Sequence, residues 1–383
     1  MKKIFILAGL ISFLSTFGYT QSPDILKIRK YRIEHEKPIL DEFVSFLSIP
    51  NVAIDTINLH KSAEFLMDMM KKRGMQQVQL LKPTTTGAPA SVYGEVITSG
   101  AKQTLIFYAH YDGQPVNPAQ WSEGLDPFQP KLANGIIGQN GTIIPFPSGE
   151  NSYDPEWRIY GRGASDDKAG VDAILNAYDA IMKTGLKPSY NLKFFFEGEE
   201  EAGSPHVKEI LEKYKSLLQS NLWIFCDGPV HQSGKKQIVF GVRGDTHLDL
   251  TVYASKRPLH SGHYGNWAPN PAMMLVKLLA SMKDDNGRVT IKGFYDDVIA
   301  LNAAEKKALQ EVPSVDEQMK KELGIAKNEI PGKTLEESIN LPSLNINGIQ
   351  SGNVGKLASN VIPTSATAVL DLRLVLGNDW QRQ

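Results

Sequence analysis

Four short stretches of this sequence place groups that bind cations or move protons directly after apolar runs. "FYAHYDGQP" carries His110 and Asp112, and "IYGRGASDDKAG" carries Asp166 and Asp167. "NLKFFFEGEEEAGS" carries Glu197, Glu199, Glu200 and Glu201, and "WIFCDGP" carries Asp227. His110 and Asp112 are two residues apart, so in an extended chain they face the same way. A metal-bound histidine usually donates its other ring N–H to a carboxylate, which fixes the tautomer and raises basicity; His-x-Asp at a strand end suits that pairing. Taken singly, the other acids have ordinary explanations: helix capping for Asp166 and Asp167, a turn before Gly228 for Asp227, and a solvated turn for the glutamates. Taken together they point to a cation, because carboxylates gathered in one place around an imidazole repel one another unless a positive charge offsets them. Nitrogen and oxygen donors with at least one imidazole favour zinc, with manganese or cobalt as alternatives.

Such a cluster forms only if the four stretches end on the same side of one sheet. Residues 78–81, 91–97, 104–109, 157–160, 192–196 and 222–226 read as short strands. Apolar residues at helical spacing, such as Val171, Ile174, Leu175 and Tyr178, place helices at 171–182 and 207–218. Further helices are predicted at 25–47, ended by Pro50, and at 62–72, ended by Gly74. Residues 134–155, rich in Gly, Asn, Pro and Ser, read as a surface loop. Near-continuous apolar strands alternating with helices predict an α/β domain with a mainly parallel sheet and helices on both faces. In such sheets the carboxyl ends of the strands line the ligand crevice. His110, Asp166, Glu200, Glu201 and Asp227 all fall there.

The pattern changes near residue 243. Leu248, Leu250 and Val252 alternate with His247, Asp249 and Thr251, and Ala366, Ala368, Leu370, Leu372 and Leu374 alternate with Thr367, Val369, Asp371 and Arg373. Period-two strands with one polar face predict a sheet covered on one side. With helices at 271–283 and within 296–340, this makes a second, smaller α+β domain.

In combination and in order, "HYD", "GRGASDDKAG", "EGEEEAGS", "CDG", "GVRGD", "LHSGHYG" and "NVIP" resemble the carnosinase-like dipeptidases. These belong to the two-zinc peptidase and deacylase family that includes acetylornithine deacetylase and succinyl-diaminopimelate desuccinylase. The resemblance spans the chain from about residue 25 to its end. It implies a catalytic domain at 21–242, a lid and dimerisation domain at 243–383, two divalent metal ions, a peptide substrate and a homodimer. It implies His110 and Asp227 on one metal, Glu201 on the other, Asp166 bridging them, and Asp112 orienting His110. Glu200 would take a proton from the attacking water and later deliver it to the leaving amine. His260, in "LHSG", would steady the carbonyl oxygen in the partner subunit's site, and Asn360 and Arg373 would bind the substrate's free carboxylate. The Asp166–Asp167 bond is expected to be cis.

One departure stands out. The family's second metal has a further histidine ligand near the C-terminal end, whereas the histidines here are His35, His60, His110, His206, His231, His247, His260 and His263. The chain stops at "LVLGNDWQRQ", just after a lid strand, and is expected to be C-terminally truncated.

Composition bounds the alternatives. A formal net charge of −1 argues against a nucleic-acid groove or a polybasic membrane surface. Lys2 and Lys3, an apolar stretch to Phe17 and small residues after it form a signal peptide over 1–20, predicting an exported protein, periplasmic or secreted, with no membrane attachment once it is removed. The single cysteine, Cys226, allows no internal disulfide. The expected activity is metal-dependent hydrolysis of dipeptides or short peptides. The rival readings are an N-acyl amino acid deacylase on the same metal core and a catalytically silent peptide-binding relative.

Overall fold

The computed structural model describes residues 22–149, 153–228 and 230–383. The segment read as a signal peptide lies outside the described residues. No helix among the described residues is long and apolar enough to cross a membrane. The chain divides into two compact units at residues 229/230.

The first unit opens with three helices: α1 (Pro23–Glu34), α2 (Glu36–Leu47) and α3 (Thr56–Lys72). The single helix expected over 25–47 is instead two, broken at His35. Pro38 accounts for the break: it lacks an N–H, and its ring would clash with the carbonyl of Glu34 in a continuous helix, so it is tolerated only in a new first turn. Strands β1 (Gln76–Leu81), β2 (Ser91–Val96) and β3 (Thr104–His110) follow. The expected loop over 134–155 takes part in a small separate sheet, in which β4 (Lys131–Ala133) pairs with β5 (Ile143–Ile144) and β6 (Arg158–Tyr160). Then come α4 (Lys168–Lys183), β7 (Asn191–Glu197), α5 (Val207–Lys213) and β8 (Leu222–Phe225).

The main sheet has the order β1-β2-β7-β3-β8. Its β7, β3 and β8 run parallel, while β1 and β2 are antiparallel to their neighbours. Alternation along β7 sends Phe194 and Phe196 into a core with Leu66 and Met70 of α3 and Val171 and Leu175 of α4. Phe195 enters the opposite core with Ile210 of α5. Each buried phenylalanine contributes about 1.5–3 kcal/mol, and packing on both faces fixes the register. That register sets His110 beside Glu197 and Tyr108 beside Phe225, so the carboxyl ends of three adjacent strands finish level.

In the second unit β9 (Gly244–Tyr253) is followed by β10 (Leu259–His260), α6 (Ser261–Tyr264), α7 (Pro271–Ala280), α8 (Ala303–Glu311), α9 (Asp316–Leu323) and α10 (Leu335–Ile339). The unit closes with β11 (Ser343–Gln350), β12 (Val361–Ile362) and β13 (Ser365–Leu374). An antiparallel sheet of order β11-β13-β9 buries Ala366, Ala368, Leu370, Leu372 and Leu374 against Leu275 and Leu279 of α7. The alternation read from the sequence is thus one covered face and one open face.

Candidate active site

His110 ends β3, the middle one of the three parallel strands, and is fully buried. Its Nε2 lies 2.9 Å from Oδ1 of Asp166, 3.8 Å from Oε2 of Glu200 and 3.8 Å from Oδ1 of Asp227. One ring nitrogen therefore faces carboxylates delivered by three other segments: the turn entering α4, the turn leaving β7 and the end of β8. Ligand atoms of His110, Asp166 and Asp227 all lie within 4.8 Å of one another. The peptide bond joining Asp166 to Asp167 is cis. Burial opposes a proton on His110, but the contact with Asp112 and the surrounding carboxylates outweigh it and raise the imidazole to about 10. A site that so strongly favours one positive charge suits a divalent cation, and its nitrogen and oxygen donors fit zinc, manganese or cobalt.

Asp112, also fully buried, links two parts of this site. Its Oδ1 lies 3.3 Å from Nδ1 of His110. The same carboxylate accepts the backbone N–H of Glu200 at 3.1 Å and of Glu201 at 2.9 Å. It thereby fastens the short helical turn Glu200–Ala202, which Gly203 closes at φ 84°, a conformation that favours glycine. Burial raises the Glu200 carboxyl, with Asp227 and Glu201 adding and His110 opposing. Glu201 stands outside the three-residue group, its carboxylate accepting from Nε2 of Gln114 at 2.6 Å.

The sequence profile of the peptidase family M20/M25/M40 matches residues 106–319, which span all of these side chains. The chain belongs to this family. Among relatives of this M20 metallopeptidase, the Cys-Gly metallodipeptidase of Candida albicans is 27% identical over 368 residues, covering 90% of this chain and 70% of its own. The human β-Ala-His dipeptidase is 26% identical over 376 residues, covering 91% of this chain and 68% of its own. A solved M20 family metallo-carboxypeptidase from Sulfolobus solfataricus superposes with a TM-score of 0.69 at 30% identity, covering 90% of this chain and 72% of its own. Human carnosine dipeptidase 1 shares the fold, with a TM-score of 0.72 at 24% identity over 95% of this chain and 75% of its own.

Several residues that the sequence reading did not place in the site support it in this M20 peptidase, among them Asp167, which caps α4 as its position suggested. Asp167 accepts the backbone N–H of His110 at 3.1 Å through Oδ2 and that of Gly170 at 3.1 Å through Oδ1, tying the end of β3 to the start of α4. Burial pushes its carboxyl up to about 7. A Cβ on Gly170 would sit 2.1 Å from Oδ1 of Asp167 and 2.7 Å from the carbonyl of Cys226, so only glycine fits. Lys168 is completely buried and has no acidic partner among the described residues. Its Nζ donates to the carbonyls of Phe46 at 2.7 Å and Ile49 at 2.8 Å, lies 4.4 Å from the centre of the Phe46 ring, and is lowered to about 7 by burial. In the sequence these residues are part of a polar run; only their depth distinguishes them.

The other three predicted site residues lie in the second unit. His260 and Asn360 come together, because β10 pairs with β12 and the N–H of Ser261 donates to the carbonyl of Asn360 at 3.0 Å. Nδ1 of His260 accepts the N–H of Gly262 at 3.0 Å, so in the neutral ring Nε2 carries the proton and can donate it to an oxygen. Arg373 stands on the open face of the three-stranded sheet, among Asp245, His247 and Asp371. Those three residues could in principle enclose a cation, but the guanidinium already fills that role, with Nε 3.2 Å from Oδ1 of Asp371 and Nη1 3.6 Å from Oδ2 of Asp245.

The dual role of Asp112 gives a first test. Replacement of Asp112 by Asn should weaken metal binding about 10–100-fold, since a carboxylate partner sets the orientation and basicity of a ligating histidine. Competition against a chromophoric chelator measures it. An unchanged affinity would remove Asp112 from that role.

Proposed function

We propose that this M20 peptidase hydrolyses dipeptides and short peptides with a free C-terminal carboxylate, using two divalent metal ions, zinc by preference. The observation that carries the reading is Nε2 of His110 facing Asp166, Glu200 and Asp227 at 2.9–3.8 Å at the level ends of parallel strands. The names of the two curated relatives, a Cys-Gly metallodipeptidase and a β-Ala-His dipeptidase, support the substrate class. His110, Asp166 and Asp227 would hold one ion, and Asp166 with Glu201 would take part in holding the other. Metal ions in such a centre polarise the scissile carbonyl and lower the pKa of water.

The protein's own residues divide the remaining work. Glu200 is beside the ligands and outside the three-residue group, and its carboxyl is raised by burial; it takes the proton of the attacking water and delivers it to the departing amine. His260 donates from Nε2 to the carbonyl oxygen as negative charge develops there. In a homodimer it would do so for the partner subunit. Arg373 and Asn360 receive the substrate carboxylate, an anion for which a guanidinium fork is the natural partner. The reading of residues 1–20 as a signal peptide supports export.

The test uses protein stripped with a chelator, reloaded with zinc, manganese or cobalt, and assayed on a panel of dipeptides and N-acetyl amino acids. Metal-dependent release of free amino acids from dipeptides, with weaker cleavage of the acetylated series, is expected. Preferential cleavage of N-acetyl amino acids would assign a deacylase instead, and binding without turnover of either series would assign a silent peptide-binding protein.

A further inference from the structure

We infer that Asp371 is the positioning residue for Arg373, and that Asp245 is an exchangeable occupant of the guanidinium which a substrate carboxylate displaces. This rests on the reading of Arg373 as the receptor for the substrate's free carboxylate.

The two acids differ in the way such a division requires. Asp371 and Arg373 lie on one face of β13, two residues apart. The Asp371 side chain is only 8% exposed, and Arg373 Nε donates to its Oδ2 at 3.3 Å, which is the guanidinium's one hydrogen bond among the described residues. Asp371 has a polar neighbour on each flanking strand, one of which hydrogen-bonds to it. Asn345 of β11, its cross-strand partner, brings Nδ2 to 3.5 Å from Oδ2, and His247 of β9, its partner on the other side, brings Nε2 to 3.5 Å from Oδ1. A buried carboxylate with such neighbours does not leave when a ligand arrives. By contrast, Asp245 is 41% exposed, and its Oδ2 reaches Nη1 of Arg373 only at 3.6 Å, with no hydrogen bond. An exposed pair of that length contributes little, so an incoming carboxylate able to make two parallel hydrogen bonds outcompetes it. Arg373 itself is 40% exposed, leaving its outer edge accessible.

The opposite roles give opposite signs. The experiment compares kcat/KM for a dipeptide and for the same dipeptide amidated at its C-terminus, in wild type and in R373M, D371N and D245N. R373M should lower the acid-to-amide ratio about 10–100-fold, the scale of a lost charged pair. D371N should lower it about 5–10-fold, through KM with kcat nearly constant, and should add nothing in the R373M background. D245N should raise it about 2–3-fold, because a competing anion is gone. If D371N lowers acid and amide turnover equally, Asp371 is a structural residue and the inference fails. If D245N lowers the ratio, Asp245 is a brace rather than an occupant, and that half fails. If R373M itself leaves the ratio unchanged, the underlying reading of Arg373 is wrong, whatever the aspartates do. D245N concerns an exposed residue, so it remains informative even if D371N folds poorly.

Discussion

Exchange of Glu200 for Gln should lower kcat about 10²–10⁴-fold, the range set by loss of a general base, while the protein binds as much metal as before. The proposed roles fall on different residues: Glu200 is absent from the group whose donor atoms converge, which consists of His110, Asp166 and Asp227. The backbone N–H of Glu200, which Asp112 holds, is unaffected by the substitution, so the turn should keep its shape. Turnover and metal content measured on the same preparation decide the matter. Near-normal turnover would remove Glu200 as the base, and a parallel loss of metal would make it a ligand.

Exchange of His260 for Ala should cost about 10²–10³-fold in kcat, the scale of one oxyanion donor, again with metal retained. The neutral ring presents its Nε2 proton outward because Nδ1 is committed to the N–H of Gly262. If the histidine serves the partner subunit, each inactive variant carries what the other lacks. Random mixing of the His260→Ala and Glu200→Gln proteins should then restore about a quarter of the wild-type sites, all in mixed dimers. Subunit exchange is followed independently by mass spectrometry of differently tagged chains. No recovery after proven exchange would place the histidine's action within its own chain.

The main features of the first unit were legible because they rest on local patterns. Apolar runs ended by His110, Glu197 and Asp227 read as strands, and the rule that ligands gather at the carboxyl ends of such strands leads to His110, Asp166, Glu200 and Asp227, which lie together in the structure. Helix α4 was legible from the spacing of its apolar residues. What was hidden depends on depth or on cross-strand register. Lys168 and Asp167 look like part of a hydrophilic run; nothing in their order says that both are buried. The placing of Asp371 between Asn345 and His247 follows from the registers of two ladders, which join segments more than twenty residues apart in one case and more than a hundred in the other. The break at His35 is readable from Pro38, which the single helix expected over 25–47 passes through. Glu201 illustrates a different limit. Adjacent glutamates in a tight turn point in different directions, and the sequence alone does not say that Glu200 faces His110 while Glu201 accepts from Gln114.

Lys168 has a consequence for how this protein can be cut. Its ammonium group lies in the interior and, among the described residues, is satisfied only by carbonyls of Phe46 and Ile49, at and just beyond the end of α2. That helix supplies no side chain to the metal cluster, and on an alignment of site residues it looks dispensable. A clone begun after residue 50 would nevertheless strip the Lys168 amine of both its carbonyl partners and of the Phe46 ring that covers it, two residues from Asp166. Loss of activity in such a clone would then be mistaken for loss of a substrate-binding element. Any minimal catalytic fragment must therefore start ahead of α2, and affinity tags belong before that helix rather than in place of it.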